Sequence, residues 1–291
     1  VGVFVIVSSV VLFLFGINLG RGSVGFSGWV DNPNTLGLML AAPLIILLAR
    51  ILDQEAGWKY KSLPLFSAGI IILLLTQSRG AVIFLSLSAL AFWVARKGMS
   101  TAAVFAAVLL FIMVGWGPEV TELVSPILSQ KYDLKIEEES LIGPRIEAWA
   151  FGWELFQYQP FFGHGIGSSQ PIMEGRRFVD HHGLHFHSSY VTALVETGAL
   201  GLSAMLLMLL TALIKGYRRL QFLRYCRTDG FAMSAVPWAI LVGALGHGLV
   251  ETWFLSAGSA AALLLWTMIG LILISPSPKL VRRKLSLPHR G

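Results

Sequence analysis

Long apolar segments alternate with short polar segments along most of this chain of 291 residues. A helix needs roughly 17–25 mostly apolar residues to cross a bilayer, and backbone groups in hydrocarbon must be paired within the helix. The pattern therefore predicts about eight spanning helices, some so short that they require tilt or re-entrance. Their predicted ranges are 1–17, 33–49, 62–77, 80–95, 100–116, 189–214, 232–250 and 254–275.

One long polar segment, at about 117–188, interrupts this pattern. A connection of this length is usually functional or disordered. The stretch from Pro144 to Tyr158 is predicted to be an amphipathic helix, and Pro160–Gly167 is rich in turn residues. The apolar residues at helical spacing in the predicted helix are Ile146, Trp149, Ala150, Trp153 and Phe156.

These elements predict an all-α fold, a polytopic membrane helical bundle with one large, partly helical loop. Four parts follow in order: transmembrane helices at 1–116, the loop at 117–188, further transmembrane helices at 189–278 and a basic tail at 279–291. The first segment lacks the basic start and the cleavage site of a signal peptide, so it is expected to be a span. Further spans are expected to precede Val1 in the natural protein.

Composition and charge give the predicted bundle an environment and an orientation. Only 13% of residues are charged, against about 25% in soluble domains. The net charge of +6 would suit nucleic acid, but cytoplasmic anchoring charge is the simpler explanation, and no nucleic-acid partner is expected. If the C-terminus is cytoplasmic, alternate loops place 15 of the 22 Lys and Arg residues inside, as the cytoplasmic bias requires. The long loop then lies outside, and the basic tail lies at the anionic inner leaflet.

Arg79 lies in a tight turn, Thr76–Gly80, between two predicted spans. A cation at a membrane boundary is either an anchor that extends its charge to the headgroups or a functional group. Anchors normally lie on the cytoplasmic side, whereas this residue is predicted to lie outside, and both interpretations stay open. A functional Arg79 would take an anion such as phosphate, because a guanidinium binds phosphate oxygens through paired hydrogen bonds.

Arg145 follows Pro144, a residue that favours the first turn of a helix. It is therefore predicted to lie near a helix N-terminus, where free N–H groups also attract anions. The alternative is a surface salt bridge with Glu147 or another nearby acid.

Four of the five histidines in the loop lie within seven residues: His181, His182, His185 and His187. Imidazole is a common zinc ligand, but this spacing matches no established zinc motif and no cysteine pair accompanies it. The other interpretation is a general base, which needs a pKa near working pH and reach to a hydroxyl. His187 is the better-placed candidate because it immediately precedes a predicted span, and His185 is the second.

Three further polar residues lie at or inside predicted spans: Asn34, Glu196 and Glu251. A carboxylate about two turns into a span, such as Glu196, is costly unless it faces protein or water. Glu251 lies in the last outside turn, near His247. Each acid is a candidate partner for an arginine or a histidine, whereas Asn34 is expected to cap the second span or to support the site.

Several of these segments, in this order, resemble the O-antigen ligase and polysaccharide polymerase superfamily of bacterial envelope proteins. The resemblance rests on Asn32–Gly37, Ser78–Gly80, Arg145–Gly167, His187–Leu202 and Glu251–Phe254. It covers nearly the whole chain, although members usually have more spans. Family loops often have asparagine after the histidine, where this chain has Ser188.

The resemblance implies a GT-C-like fold and glycosyl transfer at the outer face of the bacterial inner (plasma) membrane. The expected donor is a glycan on an undecaprenyl diphosphate carrier, and the expected acceptor is a sugar hydroxyl of lipid A core or of a growing glycan. No metal and no other cofactor are expected. Arg79 and Arg145 would hold the diphosphate, His187 would be the base, and Glu196, Glu251, His185 and Asn34 would support them.

Three alternatives stay open. The reaction can be that of a ligase for lipopolysaccharide or that of a polymerase for O-antigen or exopolysaccharide. A transporter or flippase of lipid-linked glycans would also need outward cations, but it would not need a histidine at the mouth of a span, and paired halves are absent from the sequence. A metal-dependent hydrolase would use the histidine cluster.

Overall fold

The computed structural model describes residues 2–19, 25–30, 32–52, 56–98, 143–175, 185–226, 230–256 and 258–275. These residues contain helices and no strand, which confirms the predicted all-α class for this part of the chain. The helices are α1 (Gly2–Leu14), α2 (Pro33–Leu52), α3 (Ala56–Leu75), α4 (Arg79–Lys97), α5 (Gly143–Tyr158), α6 (Ser169–Gly175), α7 (Ser189–Tyr225), α8 (Phe231–His247) and α9 (Ala260–Ile274).

Seven of the eight predicted spans coincide with helices, and the span predicted at 100–116 lies outside the described residues. Three helices, α2, α4 and α7, are long and apolar enough to cross a membrane by length and composition. The apolar parts of α1, α3, α8 and α9 are shorter, so the number of about eight spans stays a prediction. The loop residues at 117–142 and the basic tail also lie outside the described residues.

The last helix begins at Ala260, whereas the hydropathy pattern predicts a span from residue 254. The backbone N–H groups of Trp253 and Phe254 donate to Ser189 Oγ at 3.0 and 3.3 Å, which holds this apolar segment in a turn. Ser259 then caps α9 by accepting a hydrogen bond from the backbone N–H of Ala262. Hydropathy cannot register these contacts, because they involve a distant hydroxyl.

The bundle is built around α4 and α8, with α2 packed beside both. One apolar core joins α2, α4, α7, α8 and α9, and a second joins α1, α2 and α3 with α4. Gly243 of α8 faces α4 so closely that an added Cβ would overlap Ser88 Oγ and the Phe84 carbonyl. Small residues allow membrane helices to approach in this way, and van der Waals contact then replaces the hydrophobic driving force.

Gly243→Ala is therefore expected to destabilise the protein by about 1–3 kcal/mol, the usual cost of overpacking. Thermal unfolding in detergent would measure the loss. Gly270→Ala is the matched control, because Gly270 also lies inside a helix but has nothing within 4 Å of an added Cβ. An equal effect of the two substitutions would contradict the close packing of α4 and α8.

Basic side chains close the C-terminal ends of several helices at one end of the bundle. Arg96 donates to the carbonyl of Leu52 at 2.9 Å, and Arg224 donates to the carbonyl of Lys97 at 3.1 Å. Lys215 and Arg219 of α7 bond similarly to residues at the end of α9. Arg96, Arg224 and Lys215 satisfy carbonyls that a helix end leaves unpaired, whereas Arg219 donates to the hydroxyl of Ser275. These four residues are among the fifteen that the charge pattern assigned to one side of the membrane.

A kink in α7 anchors the turn-rich segment that follows α5. Gly198 has φ +66°, and an added Cβ there would overlap the carbonyl of Phe161. The kink leaves the carbonyls of Val195 and Glu196 without partners inside α7. The backbone N–H groups of His164 and Gly165 donate to these two carbonyls at 2.9 Å each. The polar loop is thus fixed to α7 through backbone contacts.

The helix predicted at 144–158 is present as α5, but its inward face is not the predicted one. Ile146 and Trp153, which the spacing assigned to an apolar face, are each 55% exposed. The buried positions are Ala148 and Gly152, and Gly152 packs on Val191 of α7. Small side chains set this contact because they permit close approach of the two helices, a property that apolar periodicity does not capture.

Candidate active site

The turn before α4 places Arg79 at the first position of that helix. The Ser78 side chain accepts a hydrogen bond from the backbone N–H of Ala81 at 3.3 Å, so Ser78 is the N-cap. Gln77, the residue before the cap, has φ +54°. Its conformation reverses the chain at the end of α3 and leaves Arg79 exposed.

The start of α7 has the same local construction around His187. Ser188 is the N-cap and accepts a hydrogen bond from the backbone N–H of Val191 at 3.4 Å. His187 precedes it with φ +49°, and Gln77 is the other non-glycine residue of the described chain with a positive φ. Such backbone is strained for these residues and persists when surrounding contacts fix it, often at functional sites. Serine is among the residues that cap helices best, so Ser188 suits this position.

Hydrogen bonds to the turn after α8 fix the segment that carries His187. The backbone N–H of Ser188 donates to Thr252 Oγ1 at 3.0 Å. The Ser189 N–H donates to the carbonyls of Gly248 and Glu251 at 2.8 and 3.0 Å, and its hydroxyl donates to the Glu251 carbonyl at 2.7 Å. These bonds hold the half-buried His187 beside the Glu251 turn.

The carboxylate of Glu251 joins two of the residues that the sequence singled out. Its Oε1 lies 3.7 Å from Nη2 of Arg145 and accepts a hydrogen bond from Asn34 Nδ2 at 3.2 Å. Arg145 thus pairs with Glu251, and not with Glu147, the acid on the same helix that the salt-bridge alternative named. Burial raises the pKa of Glu251, and the positive charge of Arg145 offsets part of that rise.

Gly80 brings the Arg79 turn into the same cluster. A Cβ added at Gly80 would lie 2.9 Å from Nε2 of His247 and 3.6 Å from Cγ of Glu251. Within the described chain, no carboxylate is within ion-pair distance of the exposed Arg79. None of the described acids therefore competes with an external anion for the charge of Arg79.

Four helices begin at this site, and each supplies a candidate residue in or beside its first turn: Asn34 in α2, Arg79 in α4, Arg145 in α5 and His187 before α7. Helix N-termini carry free N–H groups and a partial positive charge, which favour an anion. The helix C-termini that Arg96, Arg224 and Lys215 close belong to α2, α4 and α9, at the opposite end of the bundle.

Two predicted supporting residues lie elsewhere in the fold or contact other groups. Glu196 is buried and accepts hydrogen bonds from the backbone N–H and the hydroxyl of Ser169, at the start of α6. It therefore joins the polar loop to the kink of α7. His185 is exposed and precedes Phe186, which is fully buried against α5.

His247 and Thr252 are site residues whose importance the sequence did not reveal. His247 is 2% exposed at the C-terminal end of α8, between the rings of Phe84 and Trp253. A polar residue at the end of an apolar helix was the available signal, since such residues are costly in a membrane. No group of three His, Cys, Asp or Glu side chains that could hold a metal occurs in the described ranges, and His181 and His182 lie outside them.

Glu251→Gln is expected to separate stability from activity. The folded-state pKa of Glu251 is raised, so this residue stabilises the fold below its unfolded pKa and loses that contribution as pH rises through the folded value. The unfolding temperature of the variant should therefore depend less on pH in this range. At pH 7 it should be no lower than the unfolding temperature of wild type. Activity should fall about tenfold, because Arg145 loses its charged partner.

The measurements are thermal unfolding against pH and a glycan-transfer assay. Glu147→Gln is the matched control, because it removes an exposed carboxylate two residues from Arg145. A similar loss of activity in that control would show that α5 responds to net charge and not to the Arg145–Glu251 pair.

Comparison with known families adds a second line of information. A model of the O-antigen ligase family matches residues 64–206. Residues 64–206 therefore carry an O-antigen ligase domain. The match, about half of the chain, includes Arg79, Arg145, His187 and Glu196, whereas Asn34 and Glu251 lie outside it. No curated protein matches the sequence significantly.

This match confirms the predicted superfamily. It also indicates a protein of the inner membrane that takes part in glycan transfer of the O-antigen ligase or polymerase type. The apolar helices of the bundle agree with a membrane location.

Proposed function

We propose that this protein transfers a glycan from an undecaprenyl diphosphate carrier to a sugar hydroxyl, at the outer face of the inner membrane. The observation that carries the proposal is the convergence of Arg79, Arg145 and His187 at one end of the bundle. The family match supports the reaction class, and the helix N-termini at the site favour a phosphate group.

In the proposed reaction the acceptor hydroxyl gives its proton to His187 while its oxygen attacks the sugar carbon attached to the diphosphate. The bond from that carbon to the phosphate oxygen breaks, and the diphosphate leaves with the electron pair. Direct attack opposite the leaving group inverts the configuration at this carbon. Arg79 and Arg145 stabilise the charge that develops on the diphosphate, a role in which preorganised donors are most effective.

Glu251 and Asn34 position the cation in this scheme. Arg145 is half-buried, and a carboxylate at 3.7 Å keeps its guanidinium at the site before the anion arrives. Asn34 holds that carboxylate from the other side. Arg79, which has no such partner in the described chain, is free to close on the diphosphate.

An assay with purified protein in proteoliposomes would test the function. The donor is an undecaprenyl-diphosphate-linked oligosaccharide, and lipid A core and carrier-linked glycan are offered together as acceptors. Product on lipid A core would identify a ligase, and longer carrier-linked chains would identify a polymerase. Movement of the donor across the bilayer without any product would refute the proposal in favour of a transporter. Loss of activity in a strong chelator would instead support a metal-dependent reaction.

A further inference from the structure

A cavity of about 380 Å³ adjoins the candidate active site. It lies between the start of α2, the end of α8 and the turn that leads into α9. The residues of its lining that matter here are Asn34, His247, Glu251, Thr252, Trp253 and Ser259.

Two aromatic side chains of this lining carry buried polar atoms without a hydrogen-bond partner among the described residues. They are both ring nitrogens of His247, which is 2% exposed, and Nε1 of Trp253, which is 6% exposed. A buried polar group normally has a partner, because leaving it unpaired costs free energy. Nε2 of His247 faces Gly80 of α4, so a ligand with hydroxyl groups in the cavity would supply partners for Nδ1 of His247 and Nε1 of Trp253.

The lining combines apolar residues, among them Leu38 and Met39, with polar groups, a combination that matches the chemistry of a sugar ring. The rings of His247 and Trp253 lie 5.7 Å apart between centroids and offer apolar surface. Asn34, Thr252 and Ser259 offer amide and hydroxyl groups around them. A pyranose has the same combination, with apolar C–H faces and hydroxyl groups at its rim. The one charge of this lining, Glu251, is already paired with Arg145.

The position of the cavity indicates whether it would bind the donor sugar or the acceptor sugar. Glu251, a wall of the cavity, pairs with Arg145 on the side where the diphosphate is proposed to bind. Thr252, another wall, accepts the hydrogen bond from Ser188, the residue after His187. These two contacts place a sugar held here next to both the cation and the base, where the transferred carbon is expected in a displacement. An acceptor sugar would approach from the side opposite the diphosphate.

We propose that this cavity is the subsite for the donor sugar directly attached to the diphosphate, with His247 and Trp253 as its principal contacts. The inference rests on the proposed function, because it takes the diphosphate position from Arg79 and Arg145. It adds the substrate class, a neutral pyranose, and two binding residues.

Two soluble probes that differ by one sugar provide the test: farnesyl diphosphate, and farnesyl diphosphate carrying one N-acetylglucosamine. Their dissociation constants are measured on the purified full chain. The sugar is expected to tighten binding to the wild-type protein about tenfold, the effect of one or two hydrogen bonds. In His247→Phe and Trp253→Phe this advantage should fall to about twofold or less, with unchanged binding of farnesyl diphosphate.

Trp153→Phe is the control, because Trp153 is exposed on α5 and does not line the cavity. Trp253→Phe keeps an aromatic ring and removes only the indole N–H group and part of the volume, so it serves as the test if His247→Phe folds poorly. An equal affinity of the two probes for wild type would overturn the inference. Retention of the sugar advantage in both variants would also overturn it.

Two further arms separate this inference from the proposed function. Arg145→Gln should weaken the binding of both probes equally. If it weakens the binding of neither probe, the diphosphate site of the proposed function is wrong. The difference in affinity between the two probes would then still test the cavity. A soluble diphosphate-free acceptor, N-acetylglucosamine methyl glycoside, is titrated in parallel. Loss of its binding alone in the His247 and Trp253 variants would assign the cavity to the acceptor and overturn the donor assignment.

Discussion

His187→Ala is expected to lower the rate of glycan transfer by a factor of about 10²–10⁴, the usual contribution of a general base. The acceptor hydroxyl would then have to lose its proton to water during the attack. The fold should be unaffected, because Ser188 and Ser189 make the hydrogen bonds that hold this segment and both remain. Alanine is less common than histidine at a positive φ, so the position with φ +49° is expected to add a small loss of stability, which the unfolding measurement detects.

The measurement is the initial rate with saturating donor, together with a check that the variant inserts and unfolds like wild type. His185→Ala is the matched control, because this exposed histidine lies two residues away in the same segment. Near-normal transfer in His187→Ala would remove the base assignment. Loss in His185→Ala alone would transfer that role to His185.

Replacement of Arg79 or Arg145 with alanine is expected to lower the rate of glycan transfer by a factor of about 10²–10³. This loss is typical when a preorganised hydrogen-bond donor to developing charge is removed. Arg145→Lys should recover only part of the rate, because an ammonium keeps the charge but not the paired hydrogen bonds of a guanidinium. Arg79→Ala should leave stability unchanged, since Arg79 is exposed and has no ion pair within the described chain.

Arg145→Ala needs a separate control, because it leaves the carboxylate of Glu251 without its cation. The double variant Arg145→Ala with Glu251→Gln removes that charge. If Arg145 acts only by neutralising Glu251, the double variant should regain activity, whereas a role in diphosphate binding predicts no recovery. Recovery to wild-type rates would therefore refute the proposed contact with the substrate.

The helical class and most helix positions follow from hydropathy alone, because a long apolar run in a membrane has few alternatives to a helix. Local sequence rules also predicted where the helices at the candidate site begin. Ser78 and Ser188 are good N-caps, and the helices α4 and α7 begin directly after them. Pro144 predicted the start of α5, which the structure places at Gly143. These features depend on neighbours within a few residues.

The contacts that the site residues make could not be predicted from the sequence in the same way. Glu251 pairs with Arg145 and with Asn34, which is 217 positions away along the chain. Glu196, a predicted partner for a cation, instead bonds to Ser169. His247 became a site residue only because Gly80 allows α4 to approach it. Such contacts depend on how helices pack, and a single sequence carries little information about packing between distant segments.

The sequence by itself determined the helical membrane class, the grouping of basic residues and the candidate residues Arg79, Arg145 and His187. It could do so because desolvation of backbone and charge acts locally and leaves a pattern along the chain. The tertiary structure decided which acid pairs with Arg145, which turn holds His187 and where a sugar-sized cavity lies. Those outcomes depend on close helix packing at glycines and on hydrogen bonds between distant turns, and both exist only once the helices are assembled.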